Sequence, residues 1–271
     1  MISHLRYLNI QRKRKSIKNT GDVMKKVLDS NFLKFIAIIA MTIDHITWAF
    51  VPGFPVAPLP IILHLIGRIT CPIMCFFIAE GYHYTRDINK YTARLFLFAV
   101  ISHFAYIFAG FGFYDCMSFV PFSNGEILNQ TGVIWSLAWG LVMLRIIDSS
   151  RIKYLPVKII LIILICFITL PADWSCIAAL LVLSFGTNRD NNIAKFAWMI
   201  GYVGLYSAVY FFEINKVYGI LQMGVCLAIP LLLMYNGKRS GSKAFNTFMK
   251  WGFYIYYPLH LFIIGFFRNF F

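Results

Sequence analysis

An all-α bundle of membrane-spanning helices is the fold class this sequence predicts, and three observations carry the expectation. Only 13% of residues are charged and 59% are hydrophobic, with a mean hydropathy of +0.70; a soluble domain has roughly 25% charged residues. Apolar stretches, most of them near the ~20 residues that cross a bilayer core, recur nine times: about 31–50, 60–80, 91–110, 131–147, 156–171, 173–186, 193–212, 217–235 and 248–268. Lys and Arg gather in alternate connections between them, as the positive-inside bias requires. No linker, low-complexity run or internal repeat divides the 271 residues, so the chain reads as one domain, 31–271, behind a basic tail, 1–30.

The tail holds Arg6, Arg12, Lys13, Arg14, Lys15, Lys18, Lys25 and Lys26, which places the N-terminus in the cytoplasm. A run such as RKRK before a first span is a topology signal attracted to anionic lipid, so nucleic acid is not an expected partner. No apolar segment follows it within residues 1–30, so it is not a signal peptide, and Met24 would serve equally as a start. From span one the chain enters connection 51–59, which has no Lys or Arg. Spans two and three follow, separated by Arg86 and Lys90, and then comes the 111–130 connection with none. Span four ends among Arg145, Arg151, Lys153 and Lys158. The short spans 156–171 and 173–186 meet at the tight turn Pro171-Ala172-Asp173-Trp174. Arg189 and Lys195 mark the next basic connection, Lys216 stands alone in the one after, and Lys238, Arg239, Lys243 and Lys250 precede the last span. The pattern is N-in and C-out, a multi-pass protein of a cell membrane, with the net charge of +14 mostly on the cytoplasmic face. Cys71, Cys75, Cys166, Cys176 and Cys226 lie in or at the ends of spans and Cys116 is alone in a connection, a spacing with no disulfide or metal pattern.

Ionisable groups inside the spans are costly and mark working sites. At 1.5 Å per residue, His45 stands about 16 Å beyond Lys34 and Arg68 about 10 Å below the outer surface. His103 reaches the outer half of span three, and His260 lies about 18 Å into the last span. Asp44, His45, Arg68, His103 and His260 therefore share a layer, the candidate catalytic chamber. Asp44 and His45 are consecutive and point about 100° apart, so Asp44 is better placed to neutralise Arg68 or a second histidine than to orient His45. Its carboxylate is expected within about 4 Å of the Arg68 guanidinium. On span two, His64, Arg68, Cys71 and Cys75 form one stripe by i+4 and i+3 steps. A second set, Lys34, Glu80, His83, Arg86 and Arg94, lies at the inner ends, where snorkelling to headgroups is the ordinary role. No metal set is apparent.

LKFIAIIAMTIDHI, HLIGRITCPIMCFFIAEGYHYTRD, KYTARLFLFAVISHFAYIF, NQTGVIWSLAWGL and FYIYYPLHLFII together resemble the TraX family, whose founding member is associated with N-terminal acetylation of conjugative pilin. The resemblance runs from about Asn31 to the last span; the Gly-Arg-x3-Pro and Ala-Glu-Gly-Tyr-x2-Thr-Arg motifs are its most specific parts. Lys34-x10-His45 is also similar to the Arg-x10-His pattern of acyltransferase-3 type membrane enzymes, with Lys keeping the charge and losing the planar fork. The resemblance implies acyl transfer from cytoplasmic acetyl-CoA to an acceptor protein or glycan at the outer side of the bacterial cytoplasmic membrane. Lys34, Glu80, His83, Arg86 and Arg94 would then serve the CoA, with His45 as base or acyl carrier, Arg68 at the oxyanion and Asp44 balancing it. A cavity should in that case lead from the inner face to His45. Intramembrane Asp, His and Arg also fit a small proton-coupled transporter, and a non-catalytic component of a conjugation or secretion apparatus is a third reading.

Overall fold

A computed structural model of the chain describes residues 25–112 and 129–271. Cys116, most of the 111–130 connection and the tail before Lys25 lie outside the described residues. The described residues are all-helical apart from isolated bridges. Helices α1 (Ser30–Phe50), α2 (Pro58–Gly67), α3 (Thr70–Tyr84) and α4 (Ile88–Gly110) form the first part. Helices α5 (Ile134–Asp148), α6 (Leu155–Thr169), α7 (Ser175–Thr187) and α8 (Asn192–Val209) follow, with a π turn at Tyr210–Ile214. The chain closes with α9 (Lys216–Gln222), a 3₁₀ turn, α10 (Ala228–Leu233) and α11 (Lys243–Phe270).

Helix therefore covers every apolar stretch of the sequence. Five segments are long and apolar enough to cross a bilayer: Ser30–Phe50, Pro58–Tyr84, Ile88–Gly110, Asn192–Ile214 and Lys216–Leu233. The protein is a helical membrane protein. Each helix buries one face: Leu33, Ile73, Leu137, Leu141, Leu181, Phe185, Met199 and Val203 are fully enclosed where α1, α3, α5, α7 and α8 meet. Helix α6 shows the reverse pattern, with only Ile165 and Thr169 buried. Ile159, Ile160, Ile163, Leu164 and Phe167 stay exposed, an arrangement that suits a helix facing lipid tails.

The second apolar stretch is not one straight helix. Pro72 has no N–H, so the Arg68 carbonyl loses its i+4 donor, and the Arg68 N–H bonds both His64 O at 3.1 Å and Leu65 O at 3.3 Å. The break at Arg68–Ile69 splits the expected stripe. His64 and Arg68 face a cavity, whereas Cys71 and Cys75 turn into the core, with their sulfurs 3.8 Å apart and Cys75 Sγ on Ala178 O. Gly67 supplies the other half of the device: a Cβ there would lie 2.3 Å from Asp44 Cβ, so only glycine lets α2 come this close to α1.

At the opposite end of α1, Asp29 caps the helix by accepting from Asn31 and Phe32 N–H. The Leu28 N–H bonds Met234 O, the Ser30 N–H bonds Lys238 O, and Ser240 Oγ donates to Asp29 at 2.6 Å. This clasp fixes the 234–242 connection, and with it Arg239, beside Lys34. Burial alone would raise the Asp29 carboxyl, but the hydrogen bonds from Ser240, Phe32 and Asn31 hold it below its ordinary 3.8.

Candidate functional site

Two cavities lie end to end within the bundle and share no lining residue. The first, about 230 Å³, is lined by Asp44, His45, His64, Arg68, Asp173, Trp174, Tyr206, Tyr210, Tyr218, Gln222 and Arg268 among others, and reaches the 51–54 connection. The second, about 260 Å³, holds Lys34, Arg94, Arg239 and Lys250 with Tyr84, Tyr91, Tyr254 and Tyr257. No Asp or Glu is among its described lining residues. We call these the histidine cavity and the basic cavity.

In the histidine cavity Asp44 is the hub. His64 Nδ1 donates to Asp44 Oδ1 at 2.7 Å, and Arg68 Nη2 lies 3.8 Å from the same oxygen. The carboxylate thus meets both groups that the sequence left open as its partner. The Arg68 guanidinium also lies over the Trp174 ring at 5.5 Å, and its Nε has no partner among the described residues.

The histidine pair has a readable tautomer. His260 Nδ1 is 2.8 Å from the Tyr256 carbonyl, which can only accept, so that nitrogen carries a proton. With both rings neutral, His260 Nε2 is then an acceptor, and His45 Nδ1 donates to it at 2.7 Å. His45 Nε2 is left unprotonated, the form a general base needs. The rings lie within 7° of parallel with centroids 5.0 Å apart, the spacing of an in-plane N–H···N bond. Tyr256 is itself tied to Thr42, with 2.6 Å between their hydroxyl oxygens.

In the basic cavity the cations are caged by rings. Lys34 Nζ lies 5.1 Å from the Phe77 centroid and 5.8 Å from Phe253. The Arg94 Cζ lies 5.2–5.7 Å from Tyr91, Trp251 and Tyr254. Four cations without a lining carboxylate give this cavity a positive field suited to an anion with an apolar part. Among the described residues no group of three metal-ligating side chains occurs.

The other expected residues lie elsewhere. Glu80 accepts two bonds from Arg189, at 2.8 and 3.3 Å, and ties α3 to the connection after α7. His83 Nε2 bonds Gly186 O at 3.1 Å on α7. Neither these two nor Arg86 lines the basic cavity. His103 is buried on α4 outside both cavities, and His260 reaches the histidine cavity only through His45.

Sequence reading passed over Asp173, Trp174, Arg239 and Lys250 as site residues. Asp173 had a signal: it is the one charged residue between 159 and 188. The turn that carries it is strained, with left-handed φ of 62° at Trp174 and 49° at Ser175, costly conformations that persist at functional sites. The Asp173 N–H is anchored to Thr131 O at 2.7 Å. The expected path from the inner face to His45 is not formed by these two cavities: among the described residues they share no lining side chain, and Tyr257 of one meets the His45 ring of the other edge-on at 6.0 Å between centroids.

The fold and these cavities define a polytopic helical membrane protein with back-to-back polar chambers. The profile of the TraX family, described as TraX protein, matches residues 29–268, and the chain belongs to that family. It is 30% identical over 238 residues to a Dichelobacter nodosus protein named "Probable fimbrial assembly protein FimC, serogroup H1". That match spans 84% of this chain and 91% of the relative. A Rickettsia prowazekii (strain Madrid E) protein described as uncharacterized is 39% identical over 71 residues, 26% of this chain and 24% of that one. No solved structure matches.

Proposed function

We propose that this chain is a membrane acetyltransferase that takes an acetyl group from cytoplasmic acetyl-CoA at the basic cavity and delivers it to an acceptor entering the histidine cavity. One observation carries the reading: a cation-rich, acid-free cavity and a His/Asp/Arg cavity meet at a partition where Tyr257 touches His45. Lys34, Arg94, Arg239 and Lys250 suit the phosphates of CoA, and the caging rings suit its adenine. His45 Nε2 takes the proton of the attacking amine or hydroxyl, and Arg68 faces the charge that develops on the carbonyl oxygen. Asp44 holds Arg68 and His64 in place.

With Lys34 and Arg94 on the cytoplasmic side, the nine apolar stretches all cross the bacterial cytoplasmic membrane, N-in and C-out. The fimbrial assembly name of the Dichelobacter relative and the TraX membership favour a pilin-like N-terminal amine or an envelope glycan as acceptor. The closed partition also favours a second reading, a proton-coupled transporter alternating between the two cavities. Labelled acetyl-CoA given to membranes with wild-type protein or His45→Ala separates them. Acetylated product with wild type alone supports the transferase; equal labelling with both variants contradicts it.

A further inference from the structure

Tyr257 stands where the two cavities meet, and the roles assigned so far leave its hydroxyl unused. The side chain is 3% exposed and lines the basic cavity. Its ring meets the His45 ring edge-on at 6.0 Å and the His260 ring at 5.6 Å. His45 belongs to the lining of the other cavity, so the partition here is two rings deep. The oxygen lies toward the Val133 N–H just before α5, while the O–H itself meets no acceptor among the described residues. Burying an O–H donor without an acceptor forfeits part of its hydration without return, a loss that phenylalanine would not carry. The backbone makes room for the oxygen as well: a Cβ at Gly132 would stand 2.8 Å from it. Gly132 lies just before α5, so a side chain there would crowd the hydroxyl against the start of that helix.

We propose that the Tyr257 hydroxyl donates a hydrogen bond to the thioester carbonyl of the acyl donor when its arm, rising through the basic cavity, reaches His45. This rests on the acyl-transfer reading above. A donor kept dry and unpaired until charge develops next to it is the arrangement that stabilises an oxyanion. The acceptor's nucleophile adds to the carbonyl carbon, and the C=O electron pair moves onto oxygen, which accepts from Tyr257 on the donor's side and faces Arg68 on the other. Collapse restores C=O, breaks C–S and releases the thiolate. The proton that His45 took from the nucleophile passes to that thiolate, and Tyr257 keeps its own throughout. The same hydroxyl distinguishes acetyl-CoA, which brings a carbonyl, from CoA, which does not.

The test uses purified full-length protein in detergent, as wild type and Tyr257→Phe, with three readouts: thermal unfolding, equilibrium binding of acetyl-CoA and of CoA, and transfer from labelled acetyl-CoA. Tyr257→Phe should unfold within a few degrees of wild type, since the unpaired O–H and the contact to the Val133 N–H are lost together, and should bind CoA within about twofold of wild type. It should lose the wild-type preference for acetyl-CoA over CoA, a preference of about fivefold for one hydrogen bond, so that KM for acetyl-CoA rises by about that factor, while its kcat should fall about 10²-fold or more. A Tyr257→Phe kcat within about threefold of wild type overturns the proposal. So does a fall in kcat matched by an equal fall in CoA affinity or thermal stability, because the hydroxyl would then be structural. Equal wild-type affinity for acetyl-CoA and CoA counts against it too, and needs no variant. If wild-type protein binds neither ligand, the acyl-transfer reading itself fails, a result distinct from CoA binding with an indifferent Tyr257→Phe.

Discussion

Replacing Gly67 with alanine is the smallest change that should disable the histidine cavity. The added Cβ would lie 2.3 Å from Asp44 Cβ and 2.5 Å from Oδ1. Relief to an ordinary contact of 3.4 Å requires α1 and α2 to part by about 1.1 Å at this point. Asp44 Cβ sits next to its own backbone, so a rotamer change does not remove the clash. A shift of that size would take the His64–Asp44 bond from 2.7 Å to nearly 4 Å, beyond hydrogen bonding. Overpacking costs about 1–3 kcal/mol and the lost charge-assisted bond about 1.5–3. Alanine's better helix propensity returns at most about 1 kcal/mol. We therefore expect a net loss of roughly 2–4 kcal/mol of stability. Acyl transfer should fall about 10²-fold, the penalty of a 1 Å misplacement near the chemistry. Thermal unfolding in detergent and labelled acetyl transfer measure the two effects. A Gly67→Ala protein with wild-type stability and activity would refute the close-approach account of the Gly-Arg-x3-Pro motif.

Three further outcomes follow from the geometry. His260→Ala removes the acceptor that sets the His45 tautomer and should lower kcat about 10²-fold with CoA binding intact, while His260→Gln, which keeps an acceptor, should retain more; equal activity in both variants would discount the tautomer argument. Arg94→Glu should weaken CoA binding by about 10- to 100-fold, the range of a charge-assisted bond, without changing acceptor affinity, as measured by calorimetry and acceptor titration. Asp29 has a carboxyl held below 3.8, so its stabilising bonds are present above that pH and are lost as pH falls through and below it; Asp29→Ala should cost about 1 kcal/mol near neutral pH and flatten the acid limb of a stability profile.

Much of the fold could be read in advance because lipid is a severe solvent: apolar length identifies helices one segment at a time. Where the expectation failed, the cause was local or three-dimensional. Pro72 breaks the second stretch, so a stripe drawn on a straight helix wrongly joined Cys71 and Cys75 to His64 and Arg68. Depth counting brought Asp44, His45 and Arg68 together correctly, because each helix axis sets height within the membrane. It could not give azimuth, so His103 shared their height yet faces elsewhere. Glu80, His83 and Arg86 were grouped with Lys34 and Arg94 by position along the axis alone. Their partners, Arg189 for Glu80 and Gly186 for His83, lie over 100 residues away in sequence. Asp173 was hidden differently: in a Pro-Ala-Asp-Trp turn an acid is ordinary, and only the fold shows that this turn closes a cavity.

The central claim is sided transfer, and inverted cytoplasmic-membrane vesicles test it directly. In the proposed N-in orientation they present the Lys34 and Arg94 face outward and enclose the His64 side. Labelled acetyl-CoA added outside should yield acetylated products that stay sealed in the lumen until detergent is added, in wild-type vesicles and not in His45→Ala vesicles. Label confined to products on the outer surface, or equal lumenal label in the two preparations, would contradict transfer across the partition between His45 and Tyr257.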